Sequence, residues 1–116
     1  RVAKGAILDV EADIRTHSKH FGKSQSIEIN EKNAYMIFVP EGYAHGFLSL
    51  ENDTDVIYKT NNFYCQESDG SLAWNDPSLE INWEFDKYKI NAPIVSHKDQ
   101  IAATLKELGS KKLLFP

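Results

Sequence analysis

From residue 6 to residue 14 apolar and polar side chains alternate, and this stretch limits the possible folds more than any other part of the chain. Successive strand residues point to opposite sides, so Leu8, Val10, Ala12 and Ile14 share one face while Ile7, Asp9, Glu11 and Asp13 share the other. A helix would scatter both sets around its circumference. The pattern predicts a β-strand with an apolar face on a core and a mostly acidic face. Like charges two residues apart repel unless something intervenes, so the acidic face is expected to be solvated or to meet basic groups of a partner.

Similar signals follow along the chain. Residues 24–29 alternate again, Glu31-Lys32-Asn33 reads as a turn, and residues 34–39 are rich in aromatic and branched side chains suited to a strand. Pro40-Glu41-Gly42 interrupts. Residues 46–50 and 55–60 then read as a hairpin around Glu51-Asn52-Asp53. Strands spaced about ten residues apart imply an antiparallel sandwich or barrel. Residues 61–93 mix Gly, Pro, Asn and Asp with Trp74, Trp83 and Phe85, which predicts an ordered, partly extended loop region. Near the end, Ser96 and Asp99 have cap spacing, Ile101, Ala102, Leu105 and Leu108 share a face, and Gly109 reads as a stop. One short C-terminal helix is expected on an otherwise all-β domain spanning residues 1–116.

Composition narrows the function. With 41% hydrophobic and 26% charged residues the chain has ordinary globular usage. Its formal net charge of −4 speaks against a nucleic-acid binder, which needs a basic face. No apolar run is long enough to span a bilayer, so no membrane partner is expected. Cys65 has no second cysteine to pair with, which points to a reducing compartment and the cytoplasm by default.

Few residues carry recognisable chemistry. Pro40-Glu41-Gly42-Tyr43-Ala44-His45 is a Pro-x-Gly-x-x-His turn of the kind that brings a histidine to the mouth of a cupin barrel. The wider cupin motif is incomplete, with Ala34 where Gly is usual and Ser49 where Asn is usual. His45 can be a metal ligand, a hydrogen-bonded structural residue or a ligand contact. A transition metal needs three or more converging ligands, and neither a His-x-His pair nor a trusted spacing involving His17, His20 or His97 supplies them, so no metal is expected. Asp9, Glu11, Asp13 and Asp69 can likewise be read as a hard-cation site or as solvated surface. Tyr58 alternates with Val56 and is expected to face inward, either as a core residue or as a phenol that can donate a proton at neutral pH. There is no Gly-rich phosphate loop and no nucleophile elbow.

Taken together, Gly5-Ala6-Ile7-Leu8-Asp9-Val10, Asp13-Ile14-Arg15, Phe21-Gly22, residues 40–48, Tyr58-Lys59-Thr60, Phe63-Tyr64, Trp74-Asn75-Asp76-Pro77, Ile81-Asn82-Trp83 and Ser96-His97-Lys98-Asp99 resemble the dTDP-4-dehydrorhamnose 3,5-epimerase family up to about Ala103. The resemblance implies a cupin-like jelly-roll β-sandwich, a homodimer, a dTDP-sugar substrate and no metal or organic cofactor. It implies that a His base removes the C3 and C5 protons of a 4-keto sugar and a Tyr returns them from the opposite face. By position Tyr58 matches the proton donor and Asp99 the carboxylate that orients the base. Tyr64 matches the aromatic that stacks on thymine, and His45, Asp69 and Lys98 match substrate contacts, Asp69 standing where the family often has Glu.

The family's Gly-Leu-His segment, with the base, an Arg and the enolate-binding Lys, precedes the strand that opens this sequence. The expectation is therefore a C-terminal two-thirds, inactive by itself. Two other readings fit the same fold: a dTDP-4-keto-6-deoxyglucose ketoisomerase, against which Tyr58 and the Lys98-Asp99 pair speak, and a catalytically inactive binding or assembly protein.

Overall fold

The alternating segment forms β2 (Ala6–Asp13), the central strand of a three-stranded antiparallel sheet. β3 (Ser24–Asn30) flanks it on one side and β4 (Tyr43–Ser49) on the other. The computed structural model describes Arg1–Pro116. A second, two-stranded sheet pairs β1 (Val2–Lys4) with β5 (Asp55–Val56). Val2 of this sheet packs on Ile7 and Ile29 of the larger one, with Ile37 and Val56 alongside.

All eight residues of β2 are buried, so both faces of the central strand are covered. On the face of Ala12 and Ile14, Leu79 and Leu105 complete an apolar cluster bordered by Ala44, Leu72, Ile81 and Leu114. Gly46 lies opposite Val10, with the Trp83 ring beside it at ordinary van der Waals distance. The Trp83 indole N–H donates to the Trp74 carbonyl at 2.8 Å, and the two rings meet edge to face. The aromatic residues of the predicted loop region thus form a lid on this face. That region also contains a 3-10 turn (Gln66–Ser68) and a one-turn helix, α1 (Phe85–Tyr88).

The other face of β2 corrects the expectation of a solvated acidic surface. Asp9, Glu11 and Asp13 are 4%, 6% and 1% exposed. Strand periodicity places residues on a face but says nothing of what covers it. Asp13 takes both Arg15 Nε (2.9 Å, on Oδ1) and Nη2 (2.6 Å, on Oδ2), together with the Ser18 hydroxyl (2.6 Å). The Arg15 guanidinium also donates to the Tyr43 hydroxyl at 2.9 Å and lies over its ring. Gly42 makes this possible: its φ is +85°, and a Cβ there would collide with the Arg15 side chain.

Three other expectations need correction. Residues 34–39 are not a strand, because Ala34 adopts φ +52° and turns the backbone out of the extended region. That geometry costs an L-residue about 1–2 kcal/mol, a physical reason for the usual Gly at this place in the motif. The segment becomes a loop with Ile37 half-buried and Tyr35, Met36 and Phe38 exposed. Second, the strand after the hairpin turn ends at Val56, so alternation no longer sets the direction of Tyr58, whose side chain is 78% exposed rather than turned inward. Third, the C-terminal helix is two helices, α2 (His97–Gln100) and α3 (Leu105–Ser110). Thr104 and Glu107 form a capping box that starts α3, and Gly109 lies inside the helix instead of ending it.

Candidate functional site

One constellation is built on the acidic face of β2. Antiparallel register sets Glu11 directly between Gln25 of β3 and His45 of β4, and Asp9 between Ile27 and Phe47. Residues directly opposite share a face, so His45 comes within reach of both carboxylates. Its Nε2 donates to Asp9 Oδ2 at 2.8 Å, and the ring is about a third exposed. Asp9, chiefly through that hydrogen bond, holds the imidazole pKa above its ordinary value against the opposing effect of burial, and Glu11 adds to the rise. Gln25 Nε2 donates to Glu11 Oε2 at 2.7 Å. A cavity of about 330 Å³ borders the pair, with Asp9, Glu11 and Gln25 on its floor and Ile27, Ile37 and Phe38 on its walls. The expected turn does deliver His45 to an accessible position, at the third residue of β4.

A second constellation brings together three of the predicted contacts from separate parts of the chain. Lys98 Nζ donates to Asp69 Oδ2 at 2.6 Å, and the Tyr64 hydroxyl donates to the same oxygen at 3.3 Å. Lys98 holds the Asp69 pKa below the usual carboxylate value, and Asp69 in return raises that of Lys98. All three side chains are exposed. In this arrangement an aromatic ring, a cation and a carboxylate lie side by side, which suits a ligand with a planar base and anionic groups.

The remaining predicted residues stand apart. Tyr58 has a largely exposed ring. Asp99 serves the α2 N-terminus: its backbone N–H donates to Ser96 Oγ at 3.2 Å while the Ser96 hydroxyl donates to Asp99 Oδ2 at 2.7 Å. No hydrogen bond joins Asp99 to His45 or Tyr58. No three His, Cys, Asp or Glu side chains are grouped so as to hold one ion. No helix is long and apolar enough to cross a membrane. Sequence alone does not show that Asp9 and Glu11 neighbour His45 or that Gln25 bonds Glu11 from the other side. The available signal was the position of two acids on one strand face, but their partners depend on register.

Solved structures define the class of protein. The chain superposes on the RmlC epimerase of Mycobacterium tuberculosis with a TM-score of 0.93 at 30% identity, covering 98% of this chain and 56% of that one. It matches dTDP-6-deoxy-D-glucose-3,5-epimerase from Legionella pneumophila, solved with dTDP-4-keto-L-rhamnose, with a TM-score of 0.88 at 33% identity, covering 98% and 58%. The fold is the all-β, cupin-like jelly roll. Residues 1–107 match the family model of dTDP-4-dehydrorhamnose 3,5-epimerase. The Escherichia coli dTDP-4-dehydrorhamnose 3,5-epimerase is 39% identical over 114 residues, which are 98% of this chain and 60% of the relative. The chain belongs to the dTDP-4-dehydrorhamnose 3,5-epimerase family, and it spans between 34% and 60% of the length of these curated relatives.

Proposed function

We propose that this single-domain chain is the part of a dTDP-4-keto-6-deoxyhexose 3,5-epimerase that holds the nucleotide-sugar and carries the proton donor. The observation behind this reading is the convergence of Tyr64 and Lys98 on one oxygen of Asp69. The Tyr64 ring stacks on the thymine, Lys98 faces the anionic part of the ligand, and Asp69 fixes the orientation of both. A 4-keto group acidifies the neighbouring C3 and C5 protons, so inversion requires only a base on one face and an acid on the other. Tyr58 is that acid, with a phenol placed where a ligand can reach it. Asp99 orients the base, and His45, held by its hydrogen bond to Asp9, contacts the sugar. No cofactor enters this scheme, since the substrate's own ketone stabilises the carbanion. Exposed Met36, Phe38 and Phe63 support a homodimer, and the lone Cys65 supports a reducing, cytoplasmic setting.

Base-on-aromatic stacking contributes roughly 1–3 kcal/mol. Tyr64→Ala, made in the protein expressed from its full reading frame, is therefore expected to weaken dTDP binding roughly 5- to 100-fold by calorimetry. Unchanged dTDP affinity would remove Tyr64 from the nucleotide site.

A further inference from the structure

Two buried oxygens beside His45 have no hydrogen-bond partner, Oδ1 of Asp9 and Oε1 of Glu11. A buried carboxyl oxygen without a donor is costly and uncommon in a native fold. Here two occur at positions 9 and 11, on one strand face and at one cavity. The neighbouring donors are already engaged: His45 Nε2 on Asp9 Oδ2 and the Gln25 amide on Glu11 Oε2. Ser26 also lines the cavity, but it lies opposite Val10, on the other face of the sheet, and bonds neither carboxylate, which leaves the two oxygens to the contents of the cavity.

The lining indicates the kind of occupant. Carboxyl oxygens form the floor, while Ile27, Ile37 and Phe38 offer apolar walls. A bare cation would satisfy the floor and leave the walls empty, and there is no third acidic or histidine ligand to complete its shell. A pyranose suits both, with hydroxyl donors at its edge and C–H groups on its faces. The volume, about 330 Å³, falls at the small end of ligand sites, which run from roughly 300 to 1,000 Å³.

We propose that Glu11 is a specificity-determining residue whose free carboxyl oxygen, beside that of Asp9, accepts a hydrogen bond from a hydroxyl group of the sugar ring. The inference rests on the dTDP-sugar reading above and extends it, because it separates recognition of the sugar from recognition of the nucleotide. Glu11 lies opposite His45 in the ladder, and Asp9, which holds the imidazole, shares the cavity with it. The two free oxygens are stored destabilisation that the ligand relieves on binding.

The test compares dTDP with dTDP-glucose by calorimetry on the full-length protein, for wild type, Glu11→Gln and Glu11→Leu. Losing the hydrogen bond to this carboxyl oxygen should weaken dTDP-glucose binding by about 10- to 100-fold in Glu11→Leu, with dTDP itself within about 2-fold. Glu11→Gln, which keeps the shape and one acceptor, should lose less, about 3- to 10-fold. The melting temperature of Glu11→Leu should hold or rise, since an unsatisfied buried oxygen is removed, whereas a purely structural Glu11 would make it fall. Should Glu11→Leu not fold, Glu11→Gln alone decides. Equal losses for both ligands, or no loss for dTDP-glucose, would overturn the role of Glu11 and leave the nucleotide site standing. A wild type that binds neither ligand would overturn the epimerase reading and this inference with it.

Discussion

Tyr58→Phe in the full-length protein is expected to slow formation of epimerised sugar by about 10²- to 10⁴-fold, the usual contribution of a positioned general acid, with melting temperature unchanged. Exposure separates the two effects. A tyrosine in the core would anchor its hydroxyl to the backbone, and losing it would disturb packing. The Tyr58 ring is 78% exposed and beyond the last residue of β5, so removing one oxygen from it should cost less than about 0.5 kcal/mol of stability, as for most surface changes. Proton abstraction by the base is upstream of the lost step and should persist. NMR in D₂O would follow exchange at C3 and C5 together with product in one tube. Exchange with little product is the expected pattern, and wild-type product formation would remove Tyr58 from the chemistry.

Asp13→Ala should destabilise the fold by about 1–3 kcal/mol, because several donors lose a buried acceptor, although Arg15 itself is about a third exposed and can turn to water. Four donors converge on this carboxylate: the Arg15 backbone N–H at 3.0 Å, Arg15 Nε and Nη2, and the Ser18 hydroxyl. Arg15 in turn braces Tyr43 at the start of β4, so the loss reaches the strand that carries His45. The Arg15 hydrogen bonds hold the Asp13 pKa well below the usual carboxylate range. The depressed value belongs to the folded state, so this stabilisation is complete above the unfolded value near about 3.9. It fades as pH falls through the folded value. Urea unfolding at pH 7 and pH 3 should show wild type losing stability in acid and Asp13→Ala losing less. A deficit under about 1 kcal/mol at pH 7, or an unaltered acid response, would show that the network contributes little.

What the sequence disclosed follows the reach of local patterns. Alternation located β2 within one residue, since period two is a backbone property. It could not show that Asp9, Glu11 and Asp13 are buried, because their partners His45, Gln25, Arg15 and Ser18 are supplied by strand register and by a turn. Extending alternation past Val56 misplaced Tyr58, and branched residues at 34–39 suggested a strand that the left-handed Ala34 prevents. Thr104 and Glu107 have the spacing of a capping box, but the apolar stripe that runs across them from Ile101 to Leu108 reads as one helix. The meeting of Tyr64, Asp69 and Lys98 spans 29 residues between the last two. No local rule gives that contact, and family resemblance alone had suggested a shared ligand.

The most direct test of the account is to incubate the wild-type protein, expressed from its full reading frame, with a dTDP-4-keto-6-deoxyhexose in D₂O and to read each ring position by NMR. The account predicts deuterium at C3 and C5 with inversion of the sugar, and no label at C2. Binding of the substrate with neither C3 nor C5 exchanged would contradict it.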